Sequence, residues 1–282
     1  MTGAMGTADD PGTGTVTDTE PLYATDGDVF VPSEHTRGPW DAKAQHGGPP
    51  TALVARALEA AAGAGFAVTR LTIELLKPVP LTPLTVTASV VKPGRRTLGL
   101  AARVEAGGVP VVEARGVAVR LADKPVDDPP GPDRSAPLLP GPEEGRRSAF
   151  GQLEGMPVFH VTGMDVRFVG GAFDRLGPAT AWLRLRRPLV DDEAPSGLVR
   201  ATAAADFGNG ISGALPLDRW VFVNADLTVH LARPPVGEWV GLDAVTLLGD
   251  SGAGMAESAL YDDGGRMGRS VQSLVLERRP GT

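Results

Sequence analysis

Residues 71–78 read L-T-I-E-L-L-K-P, and residues 227–234 read L-T-V-H-L-A-R-P, 156 positions later. Each is an alternating, strand-like run that ends in a cation and a proline. The likeness continues beyond these eight residues. A second β-rich run follows each copy, at 84–91 and 239–248. Two further strand candidates then flank a glycine turn: 98–104 and 111–120 around Gly107-Gly108, and 253–261 and 269–277 around Gly264-Gly265. Two copies of one supersecondary unit in a single chain are the signature of a fused dimer. Such a chain can keep chemistry in one copy and lose it in the other.

The two halves divide the chain. Residues 1–20 are rich in Gly, Thr and Asp, with no basic start and no apolar run, and are expected to be a disordered tail rather than a signal peptide. Residues 21–121 form the first unit. It opens with a strand candidate at 28–31, then a loop with Trp40, then His46-Gly47-Gly48-Pro49-Pro50. In residues 51–62, Leu53, Val54, Ala57, Leu58 and Ala61 recur at helical spacing; Thr51 or the prolines can start this helix, and Gly63 and Gly65 can end it. Four strand candidates follow. Residues 122–155 read as a linker, with seven prolines between Pro125 and Pro142, an extended segment unsuited to a sheet interior. Residues 156–282 form the second unit, with strand candidates over 156–169 and 181–186. A helical stretch runs from Pro195-Ser196 through 201–205, and the four repeated strands follow. This pattern predicts an α+β fold in which each half wraps one helix in an antiparallel sheet.

Composition narrows the function. A net charge of −7 and a pI near 5.2 argue against nucleic acid or an anionic membrane surface as partner. The chain has no cysteine, which excludes disulfides and a thiol nucleophile and fits a cytoplasmic location. The four histidines, His35, His46, His160 and His230, show no i, i+3 or i, i+4 pairing, so no metal site is expected. No apolar run is long enough to cross a membrane as a helix.

Three groups of residues carry a family resemblance: H-G-G-P-P-T-A-L-V-A-R-A-L-E from His46; A-A-A-D-F-G-N-G around Asp206; and N-A-D-L-T-V-H-L-A-R-P-P with G-R-S-V-Q-S-L-V near the C-terminus. Their order, spacing and duplication resemble the double-hotdog acyl-CoA thioesterases of the thioesterase II type, over residues 22–279. The resemblance implies two tandem hotdog repeats and hydrolysis of an acyl-CoA, or a related acyl thioester, to acid and thiol. It also implies a water held by an Asp, a Thr or Ser, and a Gln of the C-terminal repeat. The Asp falls on Asp206 and the Gln on Gln272. The hydroxyl position, two residues before Asp226, is Asn224, a departure in which an amide replaces a hydroxyl. Thr228 is the nearby hydroxyl, but it matches Thr72 of the first copy and reads as a strand residue.

The chemistry agrees with these residue types. Thioester hydrolysis needs an aimed water, a proton acceptor and donors for the developing oxyanion. An apolar setting such as A-A-D-F disfavours a carboxylate's charged form, making it a better proton acceptor. Gln272 offers both donor and acceptor. Backbone N–H groups at Gly47-Gly48 or Gly208–Gly210 can polarise a carbonyl. His46, Gly47, Gly48 and Gly208 are therefore candidate substrate-binding residues, and Arg233 and Lys77 are either candidates for the phosphates of CoA or simply strand-end residues. No cofactor is required. The substrate is the expected partner, together with a possible homo-oligomer. Competing readings are an acyl-thioester or lipid-binding protein without turnover, motivated by Asn224 and the glycines of 208–213, and a hotdog hydratase or dehydratase, motivated by His46. Two motifs are set aside. Residues 208–213 fit G-x-G-x-x-G, with Asp226 18 residues on, but lack a βαβ setting. Residues 249–252, G-D-S-G, fall where the repeat places a turn. The four tryptophans, Trp40, Trp182, Trp220 and Trp239, read as core or interface residues.

Overall fold

The structure is a computed structural model and describes residues 20–39, 41–122, 139–147 and 153–279. The N-terminal tail up to residue 19, Trp40 and most of the proline-rich segment lie outside the described residues. Among the described residues no helix is long and apolar enough to cross a membrane.

Two repeats of the same strand sequence meet at the centre. The first copy contributes β3 (Phe66–Leu75), β4 (Leu84–Lys92), β5 (Thr97–Ala106) and β6 (Val109–Arg120). The second contributes β10 (Trp220–Asn224), β11 (Asp226–Leu231), β12 (Val240–Leu248), β13 (Ala253–Asp262) and β14 (Gly265–Arg278). Strands β3 and β11, the repeated run, pair antiparallel with Thr72 opposite Thr228. The Thr228 hydroxyl donates to that of Thr72 at 3.3 Å, so Thr228 is the strand residue the repeat predicts. Around this seam the sheet is continuous. Beyond the repeats lie β1 (Tyr23–Asp26) and β2 (Val29–Pro32) on one side, and β9 (Ala179–Leu185), β8 (Met164–Gly170) and β7 (Arg146–Arg147) on the other. Two linker residues, Arg146 and Arg147, thus join the sheet, at its edge, the only place a proline-rich segment can pair.

Helix α1 (Gly48–Ala62) starts three residues earlier than its apolar spacing predicts. Pro49 and Pro50 sit in its first turn, where no N–H is needed, and Gly63 ends it at φ +71°. Its apolar face, including Leu53, Val54 and Leu58, is buried against β3, β4, β5 and β6. Helix α2 (Gly197–Ala205) is capped by Ser196, whose Oγ accepts the Val199 N–H at 3.2 Å. Its alanines let it pack directly on α1. The short helix α3 (Gly208–Ile211) occupies the G-x-G-x-x-G run, and β10 after it pairs antiparallel with β14, so no βαβ unit exists there. Residues 249–252 form the connection between β12 and β13.

One element departs from the sequence expectation. The alternating P-V-F-H-V-T run folds as a π-helical turn, Phe159–Gly163, rather than a strand. The Phe159 N–H bonds to the Arg37 carbonyl outside the sheet, and Phe159 and His160 both become buried. In a strand, successive side chains would point to opposite faces. The wide turn sends both inward, as π-turns at functional sites commonly do.

Candidate active site

A group of buried polar residues gathers where α2 ends. Asp206, 3% exposed, follows α2 directly. Its Oδ1 accepts the Asn224 Nδ2–H at 2.8 Å, and its Oδ2 lies 2.9 Å from His46 Nδ1. Gln272, 1% exposed, donates from Nε2 to the Asp206 backbone carbonyl at 3.2 Å and accepts the Asn209 N–H at Oε1, 3.0 Å. Four residues far apart in sequence thus converge from four elements. A buried carboxylate is tolerable only when hydrogen-bonded, and both oxygens of Asp206 are.

The position of Asn224 depends on a break in strand pairing. In β10 Asn224 faces Leu274, whereas in β11 Thr228 faces Val271, so the register slips by one residue at Ala225. Such a bulge re-aims a side chain, and here Asn224 reaches the carboxylate on the helix side of the sheet. The amide fills the place of the expected hydroxyl by donating to Asp206.

His46 precedes α1 and packs against two aromatic rings that also touch each other, 5.7 Å apart. Phe207 stacks on it at 4.8 Å between centroids and 27° between planes, and Phe159 lies at 5.2 Å. The Gly48 N–H also lies 3.1 Å from Nδ1. One nitrogen cannot both donate to Asp206 and accept from Gly48 in the same tautomer. The charged acceptor makes the stronger bond, so Nδ1–H donates to Asp206. Gly47 presses against the same carboxylate: a Cβ built on it would sit 2.7 Å from Asp206 Oδ2. His46, Gly47 and Gly208 all surround the site, Gly208 by its contact with Gln272. Of the backbone donors expected for a carbonyl, the Asn209 N–H is taken up by Gln272, and the Gly48 N–H lies beside His46 Nδ1.

Of the two readings of Arg233, the structure favours the strand-end one. Its guanidinium makes a paired contact with the buried Asp262 and bonds the Gly265 carbonyl at 3.0 Å. Burial alone would raise the Asp262 carboxyl. Arg233 and the N–H groups of Val236 and Gly264 outweigh it and hold the group below its ordinary value. Arg233 therefore anchors the turn between β13 and β14 instead of offering a free charge. Lys77 is exposed just past β3. Among the described tryptophans, Trp182 is buried and donates from Nε1 to the Pro140 carbonyl at 2.7 Å, and Trp239 lies between Arg167 and Arg184.

The sequence reading placed Phe207 beside Asp206 but missed Phe159 and His160 as neighbours of the site, because an aromatic in a strand-like run carries no local sign of its contact. The His160 ring lies 6.4 Å from that of His46. Burial, and then the charge of His46, lower its pKa from 6.5 to about 3. The sign follows: the unfolded chain binds the proton more tightly, so stability present above about pH 6.5 is lost as pH falls toward 3. The expected slope is about 1.4 kcal/mol per pH unit for one proton. Urea unfolding at pH 7 and pH 5 should show this loss in the wild type and a reduced loss in His160→Gln; equal slopes would refute it.

Comparison with known proteins agrees with this architecture. The chain resembles a conserved protein of unknown function with a hot dog fold from Alicyclobacillus acidocaldarius (TM-score 0.68, 16% identity, covering 92% of this chain and 96% of that one). It also resembles the acyl-CoA thioesterase II TesB2 from Mycobacterium marinum (TM-score 0.62, 14% identity, 95% and 98% covered). A third similar structure is the tesB protein of Mycobacterium avium subs. paratuberculosis (TM-score 0.59, 14% identity, 93% and 96% covered). At these identities the likeness shows the fold. No curated protein matches the chain. The family model of the acyl-CoA thioesterase N-terminal domain matches residues 36–121, and that of the C-terminal domain matches residues 132–276. Together these models span most of the sequence, and the chain belongs to the acyl-CoA thioesterase family.

Proposed function

We propose that this protein is a double-hotdog hydrolase that cleaves an acyl-CoA, or a related acyl thioester, to the free acid and thiol by water activated at Asp206. The observation that carries this reading is the buried Asp206 carboxylate, fixed by Asn224 at 2.8 Å and His46 at 2.9 Å. Each carboxylate oxygen keeps a second lone pair for a water. Asp206 takes a proton from that water as its oxygen attacks the thioester carbonyl carbon. The tetrahedral intermediate then expels the thiolate, and the same proton passes from Asp206 to the sulfur. Asn224 and His46 keep the carboxylate in one orientation, and Gln272 ties Asp206 to α3 while retaining one free N–H. Thiol release from a panel of acyl-CoAs, short to long, tests the reading; a folded protein that releases no thiol from any of them would favour an acyl-thioester-binding role.

The His46–Asp206 pair supports a second reading, a hydratase or dehydratase acting on an acyl thioester. The two reactions differ in product. A hydratase consumes the conjugated double bond of an enoyl-CoA with the thioester intact. His46→Ala should abolish that activity; thiol release from saturated acyl-CoAs, with no enoyl-CoA consumed, would eliminate the hydratase reading.

A further inference from the structure

The two copies differ on the sheet face that packs against the helices. They correspond at a constant offset of 156 positions, including the bulge, which falls at Thr69 in one copy and Ala225 in the other. At this offset Val68 corresponds to Asn224, Ala102 to Ser258, Ala114 to Ser270 and Gly116 to Gln272. Val68, Ala102 and Ala114 belong to the hydrophobic core, and Gly116 packs on Leu58 and Leu100. The second copy has thus replaced apolar core positions with polar ones. A polar group there is unfavourable unless it is hydrogen-bonded. Asn224 and Gln272 meet that condition within the site. Ser258 does not: it is 1% exposed, and among the described residues its Oγ has no hydrogen-bond partner.

Gly208 shows what the hydroxyl faces. A Cβ built on this glycine would lie 2.8 Å from Gln272 Oε1 and 2.9 Å from Ser258 Oγ. The two oxygens make no direct hydrogen bond, yet are separated by no more than the sum of those distances, a span that one bridging water closes. Oε1 accepts one bond, from Asn209, and has a second lone pair. A carboxamide held at its oxygen by two donors cannot turn over, because the reversed orientation sets its NH₂ against both.

We propose that Ser258 is a positioning residue for the thioester chemistry, acting through Gln272: its hydroxyl holds a bridging water that supplies the second donor to Oε1 and keeps Nε2 turned toward Asp206. The inference rests on the reading of Asp206 as the hydrolytic centre. The test uses the full chain and the acyl-CoA substrate that the wild type hydrolyses best. Ser258→Ala should lower kcat about tenfold with KM nearly unchanged, the size expected from a loosened positioning group. Its Tm should change by no more than a few degrees, since a single neutral hydrogen bond contributes little net stability. In a Gln272→Ala background the same substitution should cost nothing further. NMR of the Gln272 side-chain amide gives a readout independent of turnover: its two protons should exchange with solvent faster in Ser258→Ala. Unchanged kcat with unchanged amide exchange overturns the proposal, and so does a tenfold loss that persists without Gln272. A wild type that hydrolyses no thioester defeats the hydrolase reading instead, while amide exchange still decides whether Ser258 orients Gln272.

Discussion

Asp206→Asn is expected to lower kcat for acyl-CoA hydrolysis by about 10²- to 10⁴-fold, the range for losing a general base, with the fold retained. Asparagine has the same shape. Its Oδ1 can still accept from Asn224, and its Nδ2 can donate to His46 once the imidazole adopts the other tautomer. The substitution therefore removes proton acceptance while preserving both contacts. Thiol release at saturating substrate measures the loss, and far-UV circular dichroism reports the fold. Activity within a few-fold of wild type would place the chemistry elsewhere in the chain and undo the assignment of Asp206.

Gly47→Ala should cost at least about 100-fold in kcat/KM, since displacement by roughly an ångström at a reacting group has that effect. Gly47 has φ −62°, which alanine adopts without strain, so any loss comes from contact rather than backbone. The new methyl would lie 2.7 Å and 2.8 Å from the two carboxylate oxygens of Asp206 and 3.0 Å from its Cγ. The carboxylate is buried and bonded on both sides, so relief requires breaking its bond to Asn224 or to His46. Overpacking of this kind also destabilises by about 1–3 kcal/mol, a Tm decrease of several degrees for a chain of this size. Wild-type kinetics and Tm in Gly47→Ala would show that the site is looser than described.

The strands of the repeat were legible because their side chains alternate with a period of two, and both copies carry the same cation–proline ending. Helix α1 was legible from apolar spacing, apart from its start, where prolines extend the first turn, whereas the short α3 lies in a run that reads as a glycine-rich loop. The Phe159–Gly163 turn was not, because alternation identifies a strand only if the backbone stays extended. Of the site residues, Asp206, Asn224 and Gln272 came from likeness to a family, and the three are now seen within one hydrogen-bonded cluster. The partner of Arg233 was not legible, because a cation at a strand end looks the same in sequence whether it faces solvent or a buried carboxylate.

By itself the sequence determined the duplication, the strand and helix pattern of each half and the supply of polar residues, all of which depend on neighbours a few positions apart. The tertiary structure decided which of those residues meet. His46 reaches Asp206 from 160 positions away because α1 and α2 pack side by side. Asn224 turns inward because of a single bulge at Ala225, and Ser258 and Gln272 share a glycine because β13 and β14 lie adjacent behind α3. Such contacts depend on register and packing between distant segments, which no local pattern encodes.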